Sequence, residues 1–281
     1  MSSLLHNVTF LNAGHCVQMK YFVGHRSLGL TKFHAVFVYF EHPVHGPSLI
    51  DTGYSEHFLH ATRRLPQRFY RWATPMRLPT STTSRDAAGV LRDAGFDPAG
   101  TNQIFISHFH GDHVAGLRCF PEARFIHRGQ SLAELRQLSA RKQVHQAFLP
   151  MLLPEDFDDR SISIPESAFD TIDGSLAGLC VHDYFGDGSL ILVDLPGHAV
   201  GHTGYLMQTD TGPMFYVVDA TWDVEVMMQG RSIPYLAQRF QYDLPKYQLT
   251  QDHLRAIDVS QVVMLACHCP RTQLHAINPA H

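Results

Sequence analysis

The sequence predicts a single α/β domain in which strands alternate with helices. Hydrophobic runs of about four to eight residues, rich in β-branched and aromatic side chains, recur along the chain and predict buried strands. Several of them are separated by segments with apolar residues at helical spacing. With 281 residues, of which 44% are hydrophobic, the chain has enough apolar material for one large core.

The first 53 residues predict a β-meander. Strands are expected at 8–11, 17–23, 33–40 and 48–50, with turns at 12–15 and 42–47. The last strand closes at Asp51-Thr52-Gly53, which places a carboxylate at a carboxyl-terminal strand end. The glycine that follows permits a sharp turn there.

The least regular stretch is 54–83, where arginines alternate with aromatic residues and prolines interrupt the pattern. One interpretation makes it a lid over a site or a dimer contact. The other makes it a surface helix and loop with solvated arginines. The sequence does not choose between them.

The remainder of the chain alternates helices with strands. Helices are predicted at 84–95, from 114–117 onward, at 131–144 and at 250–257; strands at 104–106, 124–127, 190–193, 204–207, 215–218 and 262–265; a loop at 149–159; and turns with short strands at 167–184.

Three histidines and an aspartate occupy six consecutive positions directly after one of these strands. They are His108, His110, Asp112 and His113. Imidazole and carboxylate groups are preferred ligands of zinc, iron and manganese. The motif therefore predicts a metal centre at a sheet edge, and a chance cluster of surface histidines is the weaker alternative.

Other strand ends carry residues of the same type. His198 or His202 follows the strand at 190–193, Asp219 follows the strand at 215–218, and His268 follows the last strand. Spacing alone does not choose between His198 and His202. Cys267 and Cys269 flank His268. Their thiols could serve as further metal ligands, form a redox pair or simply be buried, and we favour buried thiols.

Charge and composition narrow the choice of partners. A formal net charge of -4 provides no field that would attract a polyanion, so nucleic acid is not expected as a partner. The first 14 residues lack a secretory leader pattern, and no apolar run is long enough to cross a bilayer. We therefore expect a cytoplasmic protein without membrane contact, and an odd count of 5 cysteines favours reduced thiols.

Taken together, these motifs resemble the metallo-β-lactamase superfamily. The matching features are the 108–113 motif, Asp51-Thr52-Gly53, the Pro-Gly-His-x-x-Gly-His run that ends at His202, Val218-Asp219 and His268. The resemblance implies a four-layer αβ/βα sandwich and two divalent metal ions, most often zinc, with iron or manganese in some relatives. It implies one metal on His108, His110 and His202, a second on Asp112, His113 and His268, and Asp219 as the bridge.

Within that superfamily the chain most resembles the quorum-quenching N-acyl-homoserine lactonases. The similar features are Ala13-Gly14-His15-Cys16, the segments 84–98 and 148–150, and Asp219-Ala220. Those lactonases have a tyrosine three positions after the bridging aspartate, where this chain has Trp222. An indole N–H donates a hydrogen bond but cannot act as a phenolic acid.

The resemblance implies a hydrolase in which a metal-bridging hydroxide attacks the carbonyl of an ester, lactone or thioester. Asp112 would be both a ligand and the group that passes a proton to the departing alkoxide. Asp51 would orient a ligand loop rather than touch the substrate. Trp222 and Tyr205 are candidates for the substrate pocket, although aromatic residues near strand ends more often belong to the core. The expected partner is a small molecule, and a homodimer is a further expectation.

Three other functions fit parts of the pattern. A thioesterase resembling glyoxalase II is disfavoured because no basic carboxyl-terminal helical domain is recognisable. A phosphodiesterase resembling ribonuclease Z shares the His-x-His-Gly-Asp-His motif with a following Gly-Leu, but the negative net charge and the Pro-Gly-His run argue against it. The third is a metal-binding sensor without turnover, which the complete set of ligands disfavours.

Overall fold

The computed structural model describes residues 3–27, 29–81, 83–171, 176 and 178–275, and the strands of these residues form two sheets. The first sheet has seven strands in the order β4-β1-β2-β3-β5-β6-β7, and the second has six in the order β13-β12-β11-β10-β9-β8. The strands are β1 (His6–Met19), β2 (Leu30–His42), β3 (Gly46–Ile50), β4 (Met76–Arg77), β5 (Gln103–Phe105), β6 (Arg124–Arg128), β7 (Ser161–Ile164), β8 (Asp170–Thr171), β9 (Cys180–Asp183), β10 (Leu190–Asp194), β11 (Thr203–Thr209), β12 (Gly212–Val218) and β13 (Val263–Ala266).

Short helices connect the strands. They are α1 (Glu56–Ala61), α2 (Arg68–Ala73), α3 (Ala87–Asp93), α4 (Gly111–Val114), α5 (Gly129–Gln137), α6 (Ala140–His145), α7 (Phe157–Arg160), α8 (Val224–Met228), α9 (Tyr235–Gln238), α10 (Leu244–Ala256) and α11 (Pro270–His275). Among the described residues, none of these helices has the length and apolar character needed to span a bilayer.

The two sheets face each other, and helices cover their outer faces. Along β2, Val38 belongs to the cluster between the sheets, whereas Phe37 packs with the helices outside the first sheet. Residues of a strand point alternately to its two faces, so a strand buried on both faces has a continuous hydrophobic sequence. On the far side, Phe215 packs with Val224 and Leu254 of the outer helices. This arrangement confirms the predicted four-layer αβ/βα sandwich.

The amino-terminal strand differs from the prediction. Residues 8–11 and 17–23 were expected to form two strands with a turn at 12–15, but β1 runs through that turn. Its pairing with β2 shifts register between Asn12 and His15, which is the signature of a β-bulge. The Asn-Ala-Gly sequence therefore marks an extra residue within one strand rather than a reversal of the chain.

Two helices also differ in their limits. The segment 131–144 forms α5 and α6 instead of one helix, because Leu138 takes an extended conformation with ψ of 147° between them. The last long helix begins at Leu244, well before the predicted cap at Thr250, because the Asp243 side chain accepts a hydrogen bond from the Lys246 N–H at 3.1 Å. The helix predicted at 84–95 is confirmed as α3, with Asp86 as its cap.

Candidate metal centre

The predicted ligands meet at one edge of the two sheets. The parallel strands β3 and β5 end at Asp51 and at the 108–113 motif, and the parallel strands β12 and β13 end at Asp219 and His268. At this edge the Thr203 N–H donates to the Ser107 carbonyl oxygen at 3.0 Å, which joins the second sheet to the motif. Residues distant in sequence thereby surround one point.

The carboxylate of Asp219 lies at the middle of the cluster. Its Oδ2 atom is 3.2 Å from His268 Nε2, 3.3 Å from His113 Nε2, 3.4 Å from His198 Nε2 and 3.8 Å from His108 Nε2. One carboxylate oxygen therefore faces four imidazoles, and Asp219 is the residue that both halves of the cluster share.

Two groups of ligand-type atoms are formed around Asp219. In the first, the donor atoms of His108, His110, His198 and Asp219 all lie within 4.8 Å of one another. The second joins His113, Asp219, Cys267 and His268 at the same limit.

Asp112 lies beside the second group. Its Oδ2 atom is 3.6 Å from His268 Nε2 and 3.8 Å from His113 Nε2. The Cys267 thiol lies near the same group but donates to the His34 carbonyl oxygen at 3.4 Å. The structure therefore brings together the predicted set Asp112, His113 and His268, with a hydrogen-bonded thiol next to it.

The first group contains His198 where the resemblance placed His202. Both ring nitrogens of His202 are occupied: Nδ1 donates to the Leu195 carbonyl oxygen at 3.0 Å, and Nε2 accepts from the Asp219 N–H at 3.2 Å. His198 Nδ1 donates to Gln241 Oε1 at 3.0 Å, which leaves Nε2 directed into the cluster, 3.2 Å from His110 Nδ1 and 3.4 Å from Asp219 Oδ2. His202 thus holds the backbone of Asp219, and His198 faces the centre.

The glycine before His198 accounts for this loop's path. Gly197 has a φ of 124°, and a Cβ atom on it would lie 2.1 Å from the backbone nitrogen of Tyr247 in α10. Only glycine fits such a conformation and such a close approach. The Pro-Gly-His sequence therefore packs the loop against α10 with His198 directed at the cluster.

The Asp51 carboxylate orients the 108–113 motif through hydrogen bonds. It accepts hydrogen bonds from the Ser107 N–H at 2.9 Å, the Ser107 hydroxyl at 2.7 Å and His113 Nδ1 at 2.8 Å. With Nδ1–H donated to Asp51, the His113 lone pair is on Nε2, which points at Asp219. The predicted orienting role of Asp51 agrees with these contacts.

The buried polar atoms of the cluster fit a cation. His108 Nε2, His113 Nε2 and Asp219 Oδ1 are buried and have no hydrogen-bond partner among the described residues. Burial and the neighbouring imidazoles hold the pKa of His108 and His110 well below the usual value, which favours the neutral imidazole that metals bind. Orphaned buried polar atoms are rare in folded proteins, and a divalent metal would satisfy these three.

A cavity of about 650 Å³ opens beside the cluster. His110, Asp112, His198, Asp219 and His268 contribute to its surface. Its apolar and aromatic lining comes from Phe22, Phe33, Phe69, Val144, Ala147, Trp222, Ala237 and Phe240, together with Tyr54 and Tyr70. A smaller cavity of about 300 Å³ shares Phe22, His145 and Phe240 with it. Cavities of this size and polarity are typical of small-molecule sites.

The two aromatic residues predicted for the pocket behave differently. Trp222 lines the cavity, with its ring 6.2 Å from that of His198. Tyr205 does not: it is 1% exposed and packs between the sheets, 6.2 Å from the Phe105 ring. The prediction for Tyr205 is wrong because the alternation along β11 turns this side chain into the inter-sheet core.

The irregular stretch 54–83 forms one wall of the cavity. Tyr54, Phe69, Tyr70, Ala73 and Thr74 all line it. Sequence reasoning did not single out Tyr54 or Tyr70, because the periodicity of this stretch is interrupted by prolines. The stretch thus contributes to the cavity lining, and both the lid and the dimer contact stay predictions.

We expect Asp51→Asn to lower metal affinity by about 10–100-fold, because Asp51 accepts with both carboxylate oxygens, whereas asparagine has one acceptor oxygen and one NH2 donor. The asparagine side chain therefore cannot accept from both the Ser107 N–H and His113 Nδ1, and the imidazole tautomer is no longer fixed. Asparagine tolerates the positive φ of 61° at this position, so the backbone is preserved. Competition with a chromophoric chelator measures the change. Asp187→Asn is the matched control, because Asp187 Oδ2 lies 3.0 Å from His42 Nε2 in a second carboxylate–histidine pair away from the cluster. Equal metal affinities for the two variants would contradict the orienting role of Asp51.

Residues 46–225 match the family model described as the metallo-beta-lactamase superfamily. An N-acyl homoserine lactonase, AttM of Azorhizobium caulinodans, is 26% identical over 154 residues, which are 52% of this chain and 51% of that protein. Gamma-lactamase FDB1 of Fusarium pseudograminearum is 31% identical over 139 residues, 47% of this chain and 31% of that protein. The chain thus spans about half the length, or less, of these curated relatives.

Solved structures show the same fold. A variant of AiiA from B. thuringiensis with N-decanoyl-L-homoserine bound at the active site superimposes with a TM-score of 0.67 at 17% identity, covering 99% of this chain and 98% of that one. AidC, a dizinc quorum-quenching lactonase in complex with a product, has a TM-score of 0.63 at 14% identity, with 96% and 89% coverage. At these identities the likeness concerns the fold alone.

Proposed function

The chain belongs to the metallo-β-lactamase superfamily, and we propose that it is a metal-dependent hydrolase that opens a carboxylic ester or lactone with the help of two divalent ions. The observation that carries this proposal is the pair of ligand groups that share Asp219 and border an apolar cavity. The curated relatives it matches are named as a lactonase and a lactamase, which supports the same class of reaction.

Under this proposal His108, His110 and His198 hold one ion, Asp112, His113 and His268 hold the other, and Asp219 lies between them. His198 takes the place that the resemblance gave to His202, because His202 has no free ring nitrogen. The donor set of imidazoles and carboxylates suits zinc, iron and manganese, and we favour zinc. When bound, the ions would polarise a carbonyl oxygen and lower the pKa of a water molecule towards about 7.

Asp112 is the residue we assign to proton transfer. It lines the cavity and is 9% exposed, so it reaches both the ligand cluster and a bound substrate. In ring opening, water adds to the carbonyl carbon, the bond from that carbon to the ring oxygen breaks, and a hydroxy acid is formed. Asp112 holds the proton lost by the water and passes it to the departing oxygen.

The apolar lining points to a substrate with a hydrocarbon or aromatic substituent. An N-acyl-homoserine lactone combines a polar ring with an apolar chain, and it would place the ring at the cluster and the chain along Phe22, Val144 and Phe240. Each buried methylene contributes about 0.8 kcal/mol, or roughly a fourfold gain in binding.

We therefore expect kcat/KM to rise with acyl length from butanoyl to decanoyl, by up to about fourfold for each methylene that enters the cavity. Phe240→Ala should flatten this rise, because Phe240 lines both cavities. Leu249→Ala, another exposed apolar residue that does not line the two cavities, is the control and should leave the slope unchanged. Steady-state kinetics on the homologous series measures the slope, and a wild-type rate independent of chain length would refute this use of the cavity.

A cyclic amide is a second candidate substrate, favoured by the match to a gamma-lactamase. The same residues would serve for an amide carbonyl, with Asp112 protonating the departing nitrogen instead of an oxygen. The apolar cavity does not discriminate between the two ring types.

A hydrolysis panel on protein of known metal content tests the proposal. Acyl-homoserine lactones, γ-lactams, acyl thioesters, aryl esters and bis(p-nitrophenyl) phosphate are compared on protein that carries about two metal ions per chain. Turnover of lactones supports the proposal. Metal-loaded protein that cleaves only the phosphodiester or only the thioester would replace it with the corresponding alternative, and metal binding with no turnover of any substrate would favour the sensor.

A further inference from the structure

We propose that the Tyr70 hydroxyl is a catalytic hydrogen-bond donor that contacts the carbonyl oxygen of the substrate in this cavity. This inference rests on the proposed hydrolytic function, and it adds a residue that lies outside the ligand motifs, in the irregular stretch 54–83. Four observations support it: the position of the ring, the bonding of its oxygen, the glycine beside it, and the engagement of the other aromatic groups nearby.

The Tyr70 ring is held rigidly at the cavity surface. It projects from α2, is 9% exposed, and lines the same cavity as Asp112 and Asp219. The ring of Phe58 in α1 packs edge-on against it with centroids 5.2 Å apart. The Tyr70 carbonyl accepts from the Thr74 hydroxyl at 2.9 Å, which secures the end of the helix. A donor whose position is fixed before the substrate arrives is the kind that stabilises developing charge efficiently.

The hydroxyl has its proton available. Its oxygen accepts a hydrogen bond from the Gly111 N–H at 3.1 Å, at the first residue of α4. A tyrosine hydroxyl also has one proton to donate, and within the described ranges no side chain or backbone group is recorded as its acceptor. A phenol has an ordinary pKa of about 10, so the proton is retained at neutral pH. The N–H of Gly111 polarises the same hydroxyl, which makes it a better donor.

The glycine at position 111 allows the Tyr70 ring to lie close to the backbone of the 108–113 motif. A Cβ atom on Gly111 would lie 2.8 Å from one Phe58 ring atom and 3.3 Å from Tyr70 Cε1. Any other side chain within the His-x-His-Gly-Asp-His motif would displace the two rings. The glycine thus brings the phenol next to Asp112, the residue assigned to proton transfer.

The other aromatic groups near the cluster are engaged in ring packing within the protein. Trp222 stands where the similar lactonases have tyrosine. It packs edge-on against the Phe33 ring, with centroids 5.6 Å apart, and forms part of the apolar wall of the cavity. Tyr54 is 1% exposed, and its ring packs edge-on against Phe58 with centroids 5.2 Å apart. Of the two phenols in the described cavity lining, Tyr70 is the more exposed and the one whose oxygen accepts from the Gly111 N–H, next to Asp112.

The test is Tyr70→Phe, which keeps the ring and removes only the hydroxyl. On a lactone that the wild type hydrolyses, we expect kcat to fall by about 100-fold or more, as for the loss of one donor to a developing oxyanion, while KM changes by less than about threefold. Tyr205→Phe is the matched control, because it removes a buried phenol from the inter-sheet core, away from the cavity, and its kcat should equal that of the wild type. Metal content and melting temperature are measured for all three proteins.

A binding measurement separates a direct contact from a structural effect. The probes are an acylamino-cyclopentanone, which keeps the carbonyl, and the matching acylamino-cyclopentane, which lacks it. Calorimetry should show that the preference for the ketone drops by about tenfold in Tyr70→Phe, the loss of one hydrogen bond, and is unchanged in Tyr205→Phe. Binding of the cyclopentane should be equal in all three proteins.

The outcomes distinguish this inference from the function on which it rests. Wild-type kcat and an undiminished ketone preference in Tyr70→Phe would overturn the role of Tyr70 and leave the hydrolase intact. Equal losses in Tyr70→Phe and Tyr205→Phe would also overturn it, since the effect would then be structural. If the wild type carries its metals but hydrolyses no lactone, the proposed function fails, and the ketone preference still decides whether Tyr70 contacts a carbonyl.

Discussion

His198→Ala is expected to lose one of the two bound metal ions and almost all hydrolytic activity. His198 Nε2 lies 3.4 Å from Asp219 Oδ2 within the first ligand group, where the other imidazoles are those of His108 and His110. Removing a residue that merely supports a ligand costs about 10–100-fold in metal affinity, so losing a ligand should cost more than about 100-fold. Metal analysis after dialysis gives the number of ions bound, and kcat/KM on the same samples gives the loss of activity.

His202→Ala is the matched comparison for this prediction. His202 is 0% exposed and bonds to the Leu195 carbonyl and to the Asp219 N–H, so its removal leaves two buried backbone groups unpaired. We expect the free energy of unfolding to fall by about 1–3 kcal/mol for each group while the metal stoichiometry is retained. Chemical denaturation measures the first quantity. The opposite pattern, with metal lost in the His202 variant and kept in the His198 variant, would restore the assignment implied by the resemblance.

Asp112→Asn should lower kcat on alkyl lactones by about 100- to 10,000-fold, because asparagine cannot carry the proton from water to the departing alkoxide. The loss should depend on the leaving group. A nitrophenolate leaves without protonation, so on a p-nitrophenyl ester the decrease should be no more than about tenfold. The ratio of the two losses separates proton transfer from metal binding, which would affect both substrates alike.

The control for this experiment is Asp158→Asn, which changes an exposed carboxylate paired with Arg136 and should leave both rates unchanged. Metal content is measured in each variant. An equal decrease on the lactone and the aryl ester, with metal lost, would show that Asp112 acts only as a ligand. Unchanged activity in Asp112→Asn would remove it from the reaction and would favour the alternative of a metal-binding sensor.

The predictable ligands are those that lie next to one another in the sequence or directly after a predicted strand. His108, His110, Asp112 and His113 follow one buried strand within a few residues, so their grouping depends only on local geometry. Asp219 and His268 follow hydrophobic runs that form parallel neighbours, and parallel strands end at the same edge of a sheet. These positions were recognisable because sequence proximity or strand direction already determined their location.

The choice between His198 and His202 depended on contacts that sequence does not reveal. Both histidines follow the same strand in one short loop, and either ring could face the cluster. What separates them is the Asp219 N–H bonded to one and the Gln241 amide bonded to the other, partners 17 and 43 residues away. Long-range hydrogen bonds of this kind leave no periodic signal in the chain.

The sequence by itself determined the α/β layers, the carboxyl-terminal edge where ligands gather, and the family of the protein. These follow from hydrophobic alternation and from short motifs, which act over a few residues. Only the tertiary structure decided that Tyr205 belongs to the core, that residues of 54–83 line the cavity, and that the Tyr70 hydroxyl bonds to the Gly111 N–H, next to Asp112 in the chain. Those facts depend on packing between distant segments, where the side chain's surroundings, rather than its position in a pattern, set its role.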